Sequence, residues 1–519
     1  MNKRLTLLAS AILSLGMAAT APAETLKMAY DADPVTMDPQ EQLSGGMLQL
    51  SHMTFDPLVR WGKDLSFEPR LAEKWERIDE NTMRFFLRKG VKFHSGNEMT
   101  AKDVLFTFNR LKTSPDFKGI FASFTEAKAV DDYTVDLVTD KPFPLVLHNA
   151  TYIFPMDSAF YSGEDENGKA KDAIVKAGDS FASRNMSGTG PFTITSREQG
   201  VKVEFERNAD YWDKESKGNV SKIVLTPIKE DPTRVAALLS GDVDFIAPVP
   251  PNDHERVSGS DKVDLITMGG TRIITFQLNQ ERVEAFKNPK VRLAINYAIN
   301  QEGIVKKIMK GFATAGAQNS PKGYLGHNEA LTPRYDVAKA KELMKEAGYE
   351  DGFSVTMWAP NNRYVNDEKI CQAVVGLLAR VGIKVDLNAQ PKSKYFAKVS
   401  PQNGNDTSFY LLGWTPSSMD VHNVLYNLMS SFDTEKNTGQ FNYGRYSNTR
   451  IDEIASNVEK ETDQAKRQKM VAEAFSILKE DVGYLPLHQQ PLSWGVRDGV
   501  TLSQRADNVL DIRYVVIGK

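Results

Sequence analysis

Hydrophobic and polar positions follow two different periods along this chain, and the switches between them mark out its elements. Thr82–Leu87 reads TMRFFL, a short apolar and aromatic run that predicts a strand. Val201, Val203 and Phe205 alternate with Lys202 and Glu204, the period of two expected of a half-buried strand. Val104, Leu105, Phe108 and Leu111 recur at helical spacing, and Thr100 precedes Asp103 at the spacing of a capping box. Phe353–Met357 predicts a strand. Asp367 then opens a helix with Ile370, Val374, Leu377, Leu378 and Val381 on one face, and Gly382 ends it. Ile383, Val385 and Leu387 begin the next strand, so the region reads strand–helix–strand, the unit of an α/β architecture. Asp463–Glu480 predicts a further helix with Met470, Phe475 and Leu478 inward; Gly483 stops it, and Tyr484–Leu487 leads towards C-terminal strands.

The first residues follow a different logic. Lys3 and Arg4 precede an apolar run from Leu5 to Ala19, and Ala21-Pro22-Ala23 supplies small residues for cleavage. This is the pattern of a secretory signal peptide, residues 1–23, with cleavage expected after Ala23. No Cys stands near the cut to carry a lipid anchor, and no later stretch reaches ~18 consecutive apolar residues, so no direct membrane insertion is expected. A soluble periplasmic protein is the expectation.

Composition narrows the picture further. The remaining chain of about 500 residues suffices for two or three domains. Its single Cys371 cannot form an internal disulfide and falls on a helical pattern beside Ile370 and Val374, as a small buried hydrophobe would. A formal net charge of −3, with no long basic tract, gives no reason to expect nucleic acid.

Enzyme signatures are missing from the sequence. There is no G-x-S-x-G elbow, no G-x-x-x-x-G-K-[ST] phosphate loop, no C-x-x-C and no H-E-x-x-H. Gly188-Thr189-Gly190 is followed by Pro191 rather than a helix. The seven histidines are scattered, and none forms a local metal pair. No catalytic residue, metal or cofactor is expected, and a secreted enzyme is the different-class alternative.

Four blocks of residues resemble the family 5 solute-binding proteins of bacterial ABC importers. The first holds Pro69, Leu71, Ala72 and Trp75, then Leu87, Arg88, Gly90, Val91, Phe93, His94 and Gly96, then Thr100, Ala101, Asp103 and Val104. The others are Gly188–Phe192 with Arg207, Asn208, Tyr211 and Trp212; Arg234 with Leu239, Gly241, Asp242, Val243 and Asp244; and Val291, Arg292, Ala294, Ile295, Ala298 and Ile299. His94, inside a hairpin, reads as a structural histidine, and Tyr211-Trp212 as a core plug rather than a ligand-stacking pair. The resemblance implies an α/β, three-domain, two-lobe periplasmic binding protein fold, type II-like with an inserted domain. Domain I would comprise 24–50, 187–270 and 488–519, domain II the insertion 51–186, and domain III, the ligand lobe, 271–487. Two crossing strands near 268–275 and 484–490 would act as a hinge. The implied partners are a small peptide-like solute and an inner-membrane ABC permease, with the receptor a monomer.

Resemblance also implies a site around residues 413–425, GWTPSSMDVHNVL. Trp414 would form a flat apolar wall, with Asn423 in the same loop. Ser417 stands where many peptide-binding relatives carry an Asp for the peptide's ammonium. Asp420 is then the candidate for that charge, either against a ligand cation or against a backbone or Arg partner. Asp420-Val421-His422 resembles the Asp-Pro-His of nickel-chelate binders, so a nickel-chelate receptor is the alternative reading, as are opine-, glutathione- or oligosaccharide-like solutes. Arg363 and Tyr364 resemble the loop where dipeptide binders hold the ligand's carboxylate, a task that suits the fixed fork of a guanidinium.

Overall fold

A computed structural model describes residues 24–63, 65–176, 178–216, 218–361, 363–399, 407–416, 419–436 and 438–518. The expected signal peptide and Ser417 therefore lie outside the described residues.

An eleven-stranded mixed sheet runs through most of the described chain. Its order is Ile383–Gln390, Phe353–Pro360, Phe409–Trp414, Val263–Leu278, Leu485–Arg497, Phe245–Ala247, Glu24–Tyr30, Val220–Pro227, Lys202–Arg207 and Phe192–Glu198, with Thr314–Ala315 added on Leu485–Arg497. The predicted strand–helix–strand unit is present: Phe353–Pro360 pairs in parallel with Ile383–Gln390 across the helix Asp367–Ala379. Cys371 is fully buried on that helix. A separate four-stranded sheet, Ala72–Arg77, Thr82–Leu87, Thr134–Thr139 and Phe124–Asp131 in spatial order, packs under the helix Ala101–Thr113. Thr100 and Asp103 form the predicted capping box of that helix.

The cores follow these sheets. Residues between Leu58 and Ile153 bury one cluster on the small sheet. Leu26, Met28, Phe205, Ile223, Phe245 and Trp494 belong to a second, at one end of the large sheet. Residues from Ile274 to Leu487 bury two more at the other end.

One antiparallel pair of strands runs continuously from one end to the other. Val263–Leu278 and Leu485–Arg497 run side by side from Val263↔Arg497 to Phe276↔Leu485. Both are longer than the segments expected from sequence, because each continues into the core on either side. Their ladder is broken between Gly269 and Ile273. Gly270 has no room for a side chain there: a Cβ would stand 2.6 Å from the Gln490 carbonyl oxygen.

Three sequence readings gain a physical cause. His94 is a structural histidine, its Nε2 lying 3.0 Å from the Gly190 carbonyl and its Nδ1 accepting from Gly188 N–H. Gly188 and Gly190 lie against the Thr54–Phe55 backbone, where a Cβ would stand 2.0 Å and 2.3 Å from Thr54 atoms. Trp212 is clamped between the guanidiniums of Arg70 and Arg88 and donates to Asp56, which also accepts from Tyr211. One reading is corrected. The helix Gln464–Asp481 ends on Val482, which itself takes the left-handed conformation at φ 48°. Gly483 serves a different need, since a Cβ there would press into the Tyr446 ring at 2.8 Å.

Candidate functional site

Strand Phe409–Trp414 is apolar because it lies inside the sheet, parallel to Phe353–Pro360 and antiparallel to Val263–Leu278. It ends opposite Ile273, beside the break in the crossing pair. Trp414 is thus delivered to the point where the two ends of the molecule meet. It is half-buried, its ring 4.8 Å from Phe441, and its indole N–H donates to Asn423 Oδ1 at 2.9 Å. Trp414 and Asn423, two of the residues singled out in the sequence, therefore touch.

Gly413 explains why the second loop is here. A Cβ on Gly413 would stand 2.5 Å from the Tyr364 ring, so glycine lets that ring lie on the strand. Tyr364 is buried and donates to the Gly413 carbonyl at 3.3 Å. The loop is held by Asp367 at the start of its helix, which accepts from the backbone N–H groups of Arg363 and Tyr364. Burial pushes the Asp367 carboxyl up and those hydrogen bonds pull against it. Arg363 is exposed, its guanidinium 5.2 Å from the Tyr364 ring centroid.

Asp420 faces the other way. It is buried, and both its oxygens accept from Arg467, at 2.8 Å and 3.1 Å. Arg467 is itself fully buried in the first turns of Gln464–Asp481. One Asp420 oxygen also accepts from His422 N–H, which sets the turn into His422–Val424. Burial alone pushes the Asp420 carboxyl up, but the charge and hydrogen bonds of Arg467 outweigh it and hold it at about 2. The Arg partner weighed from sequence is thus the one present. His422 is half-buried, its Nε2 without a hydrogen-bond partner among the described residues. No cluster of three or more metal-ligating side chains forms among the described residues.

Sequence reasoning missed Thr271, Arg272, Tyr324 and Thr415. Arg272, in the ladder break, donates to Thr415 Oγ1 at 3.1 Å, and its guanidinium lies 5.8 Å from the Tyr364 ring centroid. Tyr324 is buried beside Met419 and Thr271, its phenol raised by burial first and then by Tyr152, Asp420 and Asp507. The available signal was Gly269-Gly270-Thr271-Arg272, two glycines and an arginine interrupting an otherwise apolar strand.

The opposite end of the molecule closes on this region. His148 Nε2 stands 3.8 Å from Asp420, while its ring is packed edge-on against Trp61 and Phe67. Burial brings His148 down to about 4, so it is neutral at neutral pH. Lys141 pairs with Glu459 at 2.9 Å, and Asn252 reaches Asn366 at 3.5 Å.

Comparison with known proteins gives concordant matches. Residues 66–436 match the family model of the bacterial extracellular solute-binding proteins, family 5, middle region. The glutathione-binding protein GsiB of Pectobacterium atrosepticum is 28% identical over 472 residues, covering 88% of this chain and 87% of that protein. Among solved structures, the periplasmic binding protein DppA of Helicobacter pylori, in complex with a peptide, superposes with a TM-score of 0.76 at 26% identity, covering 96% of this chain and 98% of that one. HbpA2 of Haemophilus parasuis matches with a TM-score of 0.83 at 22% identity, covering 96% and 100%.

Proposed function

Since the chain belongs to the bacterial extracellular solute-binding proteins of family 5, we propose that it is the periplasmic receptor of an ABC importer. It captures a short peptide or peptide-like zwitterion between two lobes and delivers it to an inner-membrane permease. Residues 271–487 form the ligand lobe; 24–50, 187–270 and 488–519, with the insertion 51–186, form the other. The observation that carries this reading is the convergence of Trp414, Tyr364, Arg363 and Asn423 beside the break in the two crossing strands. That is where a ligand touching both lobes would meet aromatic faces and a cation at once. The names of the relatives support a peptide-like ligand, one being a glutathione-binding protein and another a structure with bound peptide. No helix among the described residues is long and apolar enough to cross a membrane.

The ammonium end of the ligand is not met by Asp420, whose charge Arg467 already occupies. Ser417 stays a candidate contact from the same loop. The protein performs no chemistry on its solute. A titration of tryptophan fluorescence with di- and tripeptides tests this, with mass spectrometry of the solute recovered afterwards. A saturable change with intact peptide is expected. Recovery of hydrolysed peptide, or no response to any peptide, removes the reading.

A further inference from the structure

Buried and half-buried arginines of this protein are mostly saturated by several acceptors, carboxylates in many cases and backbone carbonyls for Arg292 and Arg207. Arg70 meets Asp56, Arg110 meets Asp38, Arg467 meets Asp420, Arg505 meets Asp507 and Arg513 meets Asp511. Arg272 departs from this pattern. Its partners are one hydroxyl, Thr415 Oγ1, and one ring, Tyr364, over which its guanidinium lies. No carboxylate among the described residues pairs with it. Burial, and then the neighbouring charge of Arg363, bring it down to about 10, so it stays cationic at neutral pH. Arg363, over the same ring, has no carboxylate partner among the described residues either. Its loop carboxylate, Asp367, is turned inward to cap backbone N–H groups.

Two guanidiniums are thus gathered about one tyrosine ring with no internal anion between them. Like charges so placed repel, and desolvating Arg272 is costly without a partner. The donor count points the same way. A guanidinium carries five N–H groups, and Arg272 commits only its Nε to Thr415. A single carboxylate can occupy one fork; a second fork and a second positive charge then remain.

We propose that Arg272 and Arg363 form a two-cation subsite, and that the solute carries two acid groups at the end that enters it. The substrate class is then a peptide-like molecule with an acidic C-terminal residue, or an equivalent dicarboxylate. This rests on the peptide-receptor reading above and narrows it. Arg272 is the specificity-determining member, because it is fixed in the crossing strand and held by Thr415, whereas Arg363 is exposed on a loop.

The dipeptides Ala-Glu and Ala-Gln differ by one acid group at equal size, so calorimetric titration of both isolates the second charge. Wild-type protein should bind Ala-Glu at least tenfold more tightly than Ala-Gln. Arg272→Met should bring the two within threefold of each other, with the larger loss falling on Ala-Glu. Arg272→Lys, which keeps the charge but not the fork, should retain part of the preference and serves if the Met variant fails to fold. Equal binding of the two peptides by wild type, or an undiminished preference in Arg272→Met, overturns the two-acid inference and leaves the peptide reading standing. Absence of binding by every di- and tripeptide tried overturns both.

Discussion

Asp420 shows how much a single partner decides. From sequence it is an acid in a polar loop; in the fold it is one half of a buried bidentate ion pair with Arg467. Removing one member leaves the other charge buried and alone, so Asp420→Asn should lower stability by about 3–5 kcal/mol, visible in urea denaturation. Peptide affinity of the folded fraction should change less than threefold. Acid should have a related effect. The Asp420 carboxyl lies at about 2 in the fold, below its unfolded value of 3.8, so its stabilisation is full above pH 4 and fades as pH falls towards 2. His148 lies at about 4 against 6.5 unfolded, so it too favours the fold above its unfolded value and is lost from pH 6.5 downward. The melting temperature should therefore begin to fall below about pH 6.5, and His148→Gln should flatten the slope between pH 6.5 and 4. The resemblance of the Gly413-Trp414 loop made Trp414 a candidate, with Asn423 in the same loop. The sequence did not offer Arg467, forty-seven positions from Asp420, or Arg272, because a partner across the fold leaves no local period or spacing.

Elements were more legible than partners, for a physical reason. The helices Ala101–Thr113, Asp367–Ala379 and Gln464–Asp481 and the strand Thr82–Leu87 each bury one face, and a buried face imprints its period on the sequence. What the period does not encode is which strands become neighbours. Nothing local says that Phe409–Trp414 slots between Phe353–Pro360 and Val263–Leu278. Glycines blur the signal as well: Gly483 resembles a helix stop but makes room for Tyr446. Gly413 offers the test at this scale. A methyl there would meet the Tyr364 ring at 2.5 Å, and relieving such overpacking costs about 1–3 kcal/mol. Gly413→Ala should keep its far-UV circular dichroism while peptide binding weakens at least tenfold, because Tyr364 and the Arg363 loop are displaced together.

At the scale of the whole molecule, the two ends touch through His148 and Asp420, Lys141 and Glu459, and Asn252 and Asn366. The Lys141–Glu459 pair is partly exposed, so it contributes at most about 1 kcal/mol. A ligand between the lobes would thus decide between open and closed forms. Small-angle scattering should show a smaller radius of gyration with bound peptide than without, and an unchanged radius at saturation would argue against closure. The broken ladder between Gly269 and Ile273 would set the form of that motion. The chain crosses there in two adjacent antiparallel strands, paired on both sides of the break, with a second register shift between Ile274 and Thr275. Bending across the break is soft, whereas shearing or twisting must tear ordered pairs. On the two-lobe reading, the lobes would move like a door on one pin, along a single arc. Solutes of different length would be registered as different stopping angles on that arc, so that size is measured by rotation rather than by reshaping the walls.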